Sequence, residues 1–140
     1  MTTTTPVADP SLLYPSPLKE FWQAFARNKG AVAGLLFMEH GTAKHLHFPV
    51  SEMHPPLASL GGAAGVIEIV AGALIVLGFY SRPAAFIASG TMAFAYFIAH
   101  FPQNFFPVLN RGDAAVLFCF LFLYIAAAGP GPWSVDAARR

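Results

Sequence analysis

Glu68 is the only charged side chain between Gly61 and Tyr80, in a run (GGAAGVIEIVAGALIVLGFY) otherwise apolar enough to cross a bilayer. A carboxylate at that depth costs about 2.5–3.5 kcal/mol on insertion scales unless it is protonated or paired. It marks either a polar contact that locks packed helices together or a site that exchanges protons. Its candidate partners are His40 and Lys44, four residues apart and therefore on one face of the preceding apolar segment. At 1.5 Å of rise per residue, Glu68 and His40 each sit about 12 Å below the outer ends of their helices, and Lys44 about 6 Å below. A Glu68–Lys44 contact and a Glu68–His40 contact are both natural at those depths. Glu39 points about 100° away from His40 around the helix, toward another neighbour. Met92, Tyr96 and His100 fall on one face of the third apolar segment, and Arg111 and Asp113 stand at the outer mouth of the fourth. Nearly every ionisable group of the apolar segments gathers in one half.

That asymmetry suggests chemistry. Imidazole exchanges protons near neutral pH, so Glu68 and His40 are the candidate proton relay, with Lys44 setting their charge. Tyr96 and His100 would line an entrance, and Glu39, Arg111 and Asp113 complete the candidate ligand-binding set. Gly61, Gly65, Glu68 and Gly72 follow one another at spacings of four, three and four, which is one helix face. Small residues let neighbouring backbones approach closely. Gly61, Gly65 and Gly72 are thus the expected packing positions, and Glu68 should point inward with them. A purely structural lock fits the same spacing.

Four apolar segments must position these groups, with helices expected over about 24–48, 60–80, 83–100 and 113–128. Each is near the length of about 20 residues that a spanning helix needs, and lipid tolerates no unpaired backbone groups. The expected fold class is all-α, an integral membrane four-helix bundle. Residues 1–17, rich in Thr and Pro, read as a flexible tail, residues 18–136 as the transmembrane domain, and residues 129–140 as a C-terminal tail. With the N-terminus inside, Lys19, Arg27, Lys29, Arg82, Arg139 and Arg140 are cytoplasmic, and only Lys44 and Arg111 fall on the outer half. This bias fits the positive-inside rule, with Trp22 and Trp133 as inner interfacial aromatics and both termini cytoplasmic. His47-Phe48-Pro49 and His100-Phe101-Pro102 give a short internal echo, each followed by a glycine and an Ala-Ala pair.

Composition removes several function classes. The 140 residues are 56% hydrophobic and 11% charged, with mean hydropathy +0.55, whereas soluble domains carry roughly 25% charge. A formal net charge of +1 supplies no basic face for nucleic acid. The single cysteine, Cys119, excludes an intramolecular disulfide and a CxxC motif, and among Phe118, Phe120 and Phe122 it reads as an inert packing thiol. No metal or haem is expected, because His45 and His47 diverge on a helix and His40 and His100 lie at different depths. No basic region followed by an apolar core opens the chain, so no cleaved signal peptide is expected.

The order of these features resembles the DoxX family of small four-helix bacterial membrane proteins. The residues that carry the resemblance are His40-Gly41 with Lys44, then Gly65-x-x-Glu68-x-x-x-Gly72, Gly78 with Ser81-Arg82-Pro83, His100 with Pro102, and Gly129-Pro130-Gly131-x-Trp133-Ser134-x-Asp136. Pro132 stands where the family often has a basic residue before the terminal Trp. The resemblance implies a bacterial inner-membrane protein linked with sulfur and thiol oxidation, whose relatives act as membrane subunits of thiosulfate:quinone oxidoreductases or as scaffolds in oxidant-defence complexes. The candidate cofactor is then a quinone, and the candidate partners are the lipid bilayer, a soluble redox subunit and further copies of the chain. A membrane subunit binding a quinone or other small molecule is the first expectation. A non-catalytic anchor or assembly partner is the second, and a small proton-coupled transporter the third.

Overall fold

The computed structural model describes residues 16–131 and 134–139. The expected tail over residues 1–15 and the interfacial Trp133 lie outside them, as do Pro132 and Arg140. Among the described residues the chain is all-helical, without strands. Seven α-helices follow in order: α1 (Pro17–Arg27), α2 (Lys29–His45), α3 (Leu60–Leu77), α4 (Ser81–Ala95), α5 (Pro107–Asn110), α6 (Asp113–Ala128) and α7 (Val135–Ala138). A π-helical turn, Tyr96–His100, extends α4.

Local chemistry explains the boundaries. Helix is already present at Pro17, inside the stretch expected to be tail, and the single helix expected over about 24–48 is two. Asn28 divides them: its side chain accepts from the Ala31 N–H at 3.1 Å and caps α2. α2 stops at His45, ahead of His47, which takes a left-handed φ of 54°, and of Pro49. Ser59 caps α3 by accepting from the Gly62 N–H at 3.1 Å. α3 ends at Gly78, whose φ of 65° closes the last turn with Phe79 N–H donating to Leu74 O at 2.9 Å.

α2 packs along α3, α4 along α6, and α3 beside α4. Between them lies a core of Phe37, Ile75, Ala85, Ala88, Met92, Phe122 and Ile125. Phe37 and Phe122 are fully buried with ring centroids 4.7 Å apart. Small residues Ala84, Ala85, Ala88 and Ser89 form the buried face of α4, and Ser89 Oγ donates to the Cys119 carbonyl at 2.8 Å.

Two helices, Leu60–Leu77 and Ser81–His100, are long and apolar enough to cross a membrane, and only 33% and 28% of their most apolar 18-residue stretches are buried. The core helix of a water-soluble domain would be mostly covered. Here Val66, Val70, Leu77, Phe86, Ile87, Phe94 and Phe97 are all exposed, which only an apolar solvent makes favourable. α2 has 17 residues and three charges, Lys29, Glu39 and Lys44, and α6 is apolar but has 16 residues. α2 is shorter than the span expected over about 24–48, whereas α6 coincides with the expected 113–128.

Candidate functional site

α2 and α3 run antiparallel at glycine-limited separation. A Cβ on Gly34 would meet the Gly72 carbonyl oxygen at 3.0 Å, and one on Gly41 would meet the Gly65 carbonyl oxygen at 2.5 Å. Seven residues forward on α2 thus match seven residues back on α3. Gly65 and Gly72 stand at this contact as the stripe predicts. Gly61 does not: it faces Pro55 of the preceding loop, and Gly62 is buried against Pro56 and Leu57 instead. Gly34 was not evident from the α3 spacing, because it belongs to the opposing helix.

Close approach brings the polar side chains together one turn beyond Gly41. Lys44 Nζ donates to both carboxylate oxygens of Glu68, at 2.6 and 2.7 Å. The Lys44 stem and the His45 imidazole cross the bare surface of Gly65. His45 Nε2 lies 2.9 Å from the Gly62 carbonyl oxygen. A carbonyl can only accept, so this nitrogen carries the proton. Spacing pointed to Lys44 or His40 as the partner of Glu68, and the geometry brings Lys44. The Glu68 side chain is 3% exposed and that of Lys44 16%, so the pair is open only on the lysine side.

His40 turns the other way. Its ring packs edge-on to Phe118 of α6, with centroids 6.1 Å apart. Together with Leu36, Glu39, Ala43, Pro49, Ser51 and Phe118 it lines a cleft of about 430 Å³. His40 and Glu39 are both exposed. Phe118 was read from sequence only as a neighbour of Cys119, since a ring contact between distant helices leaves no local pattern.

The remaining candidates do not converge on either place. Tyr96 Oη donates to the Phe105 carbonyl at 2.6 Å, and His100 Nδ1 to the Asn110 carbonyl at 3.0 Å. Both tie down the loop after α4. Asn110, buried and unanticipated, completes that knot by donating to the Asn104 carbonyl and accepting from the Gly112 N–H. Arg111 is exposed at the C-cap of α5, and Asp113 is exposed in the first turn of α6.

A second polar region, whose residues entered the sequence reading only as tail and through the family resemblance, sits at the other end. The Asp136 carboxylate accepts from the N–H groups of Ser81 and Tyr80, each at 2.9 Å. These donors, Ser81 first, together with the charge of Arg139, hold its carboxyl below the ordinary carboxylate value against partial desolvation. Asp136 N–H donates back to the Gly78 carbonyl at 2.8 Å. Residue 136 therefore clasps the α3–α4 turn.

Among the described residues, the all-helical fold, the two lipid-compatible helices and the ion pair enclosed between helices have the character of a membrane protein. The chain belongs to the DoxX family, whose sequence model matches residues 31–101. That span holds His40, Lys44, Glu68, Arg82 and His100, while Asp136 lies beyond it. An uncharacterized protein of Haemophilus influenzae is 42% identical over 125 residues, covering 84% of this chain and 90% of that protein. A stretch of 33 residues is 79% identical to part of the di/tripeptide transport system permease protein DppC of Pseudomonas aeruginosa, covering 24% of this chain and 11% of that protein. No solved structure matches the chain.

Proposed function

We propose that this chain is a multi-pass subunit of the bacterial inner membrane that binds a quinone or a similar small molecule for a redox system of sulfur or thiol oxidation or of oxidant defence. It is a four-helix bundle of α2, α3, α4 and α6, with both termini cytoplasmic. The observation that carries the ligand reading is the His40 cleft. Its volume of about 430 Å³ falls within the range of about 300–1,000 Å³ typical of small-molecule sites. Its lining combines an aromatic face, Phe118, and apolar Leu36, Ala43 and Pro49 with three hydrogen-bonding side chains, His40, Glu39 and Ser51.

In this reading His40 is the proton donor or acceptor nearest the ligand, with Glu39 beside it. Glu68 and Lys44 act one turn away by fixing α2 against α3, rather than by passing protons, because each already satisfies the other. Protein reconstituted with a quinone should retain it after purification. His40→Phe should lower retention at least about tenfold, the loss of one good polar contact. Retention unchanged in that variant sinks the reading. The enclosed Lys44–Glu68 pair also favours a second reading, a non-catalytic anchor or assembly partner. It predicts that Glu68→Gln reduces bundle stability and co-purification of partner subunits while no quinone is retained by any form.

A further inference from the structure

A second cleft, of about 270 Å³, lies at the end of the molecule opposite Lys44 and is lined by Arg82, Ala128, Gly129, Pro130, Gly131, Ser134, Asp136 and Ala137. Arg82 is the cation in it. Its guanidinium lies over the backbone of Gly129, where a Cβ would sit 3.4 Å from a terminal nitrogen. Gly131 meets nothing within 4 Å and leaves the adjoining wall open. The charges nearby are otherwise engaged. The Asp136 carboxylate is taken up by the Tyr80 and Ser81 N–H groups. Arg139 lies over the Phe79 ring at 5.1 Å. Among the described residues, Arg82 alone brings a planar set of donors to this cleft without a carboxylate partner in salt-bridge range.

We infer that the Arg82 cleft binds the phosphodiester headgroup of an anionic phospholipid. The cleft sits where the apolar helices Leu60–Leu77 and Ser81–His100 meet, which is headgroup level if those helices cross the bilayer. Basic pockets between helices at that level recognise lipid headgroups, and a guanidinium matches two phosphate oxygens at once. The carboxylate of Asp136 in the same wall selects among phosphates: it repels a dianion such as free inorganic phosphate more than the monoanion of a diester. The volume suits a headgroup rather than a whole drug-sized ligand, which needs about 300–1,000 Å³. The inference rests on membrane insertion and not on the quinone reading, so either can fail without the other.

The test is native mass spectrometry of the full chain released from nanodiscs of one part phosphatidylglycerol to three parts phosphatidylcholine. Wild-type protein should retain phosphatidylglycerol, and Arg82→Gln should lower the retained fraction about tenfold, the loss of one charge-assisted contact. Arg82→Lys should recover part of it, and Arg139→Gln should leave it unchanged. Thermal melts in detergent identify any variant that has lost its fold, and the lysine variant then carries the comparison. Equal retention by wild type and Arg82→Gln, equal loss in Arg139→Gln, or displacement of the lipid by millimolar inorganic phosphate each overturns the inference.

Discussion

Glu68 meets its partner by a difference in reach. Lys44 and His40 stand one turn apart on α2, and sequence depth alone allows either to face Glu68. Four residues advance about 400° around a helix, so the two side chains point about 40° apart. The long lysine stem spans that offset and lies over Gly65, while the short imidazole follows its own direction onto Phe118. The ion pair was therefore half legible: glycine spacing located Glu68 on an interior face, but the choice of partner needed the rotation of α2. An enclosed pair is costly to break from one side only. Lys44→Met should destabilise the protein by about 2–4 kcal/mol, because it strands an unpaired carboxylate between packed helices. The double variant Lys44→Met with Glu68→Leu should recover most of that loss, since well-packed apolar replacements remove both charges together. Thermal or denaturant unfolding of the two variants in detergent decides it. A double variant as unstable as the single one would mean that the pair is no isolated lock.

Among the elements, the C-terminal segment departs furthest from its sequence reading. Residues 129–140 look like a tail because they are short, rich in Gly and Pro, and polar. Yet Ser134 caps α7 by accepting from the Ala137 N–H, and Asp136 caps the start of α4 from 55 residues away. A bond between a side chain and a distant backbone leaves no periodicity to read, whereas the helices announced themselves through apolar runs. The Asp136 clasp has a pH signature. Its folded carboxyl titrates below its unfolded value of 3.8, so the stabilisation is complete above that pH and disappears as pH falls through the lower folded value. Asp136→Ala should melt below wild type at pH 6, and the gap should narrow at pH 3. A gap that stays constant across that range would show that the carboxylate charge contributes nothing to the clasp. The anionic form is also the one favoured beside a helix N-terminus.

For the whole molecule, two of the four longer helices fall short of a spanning length by themselves, and their packing decides where their ends lie. Gly34 on Gly72 and Gly41 on Gly65 force α2 to run antiparallel to α3, so Lys29 lies at the Leu77 end. The Asp136 clasp and the contact of Arg139 with Phe79 hold the segment after α6 at that same end. Gln103 follows the far end of a helical stretch of 20 residues, about 30 Å away at 1.5 Å per residue. In the proposed four-span arrangement α6 returns across that distance with help from its flanking loops, although its own 16 residues cover only about 24 Å. Lys19, Lys29, Arg82 and Arg139 share the cytoplasmic side in the proposed topology, opposite Lys44 and Arg111, which agrees with the positive-inside rule. Single cysteines placed in a Cys119→Ser background test this in whole cells with a membrane-impermeant maleimide. Glu52→Cys and Gln103→Cys should label from outside, and Lys29→Cys and Arg139→Cys only after permeabilisation. If the two long helices alone crossed the bilayer, Lys29→Cys would label with Glu52→Cys and Arg139→Cys with Gln103→Cys. Labelling of either from outside would refute the four-span arrangement.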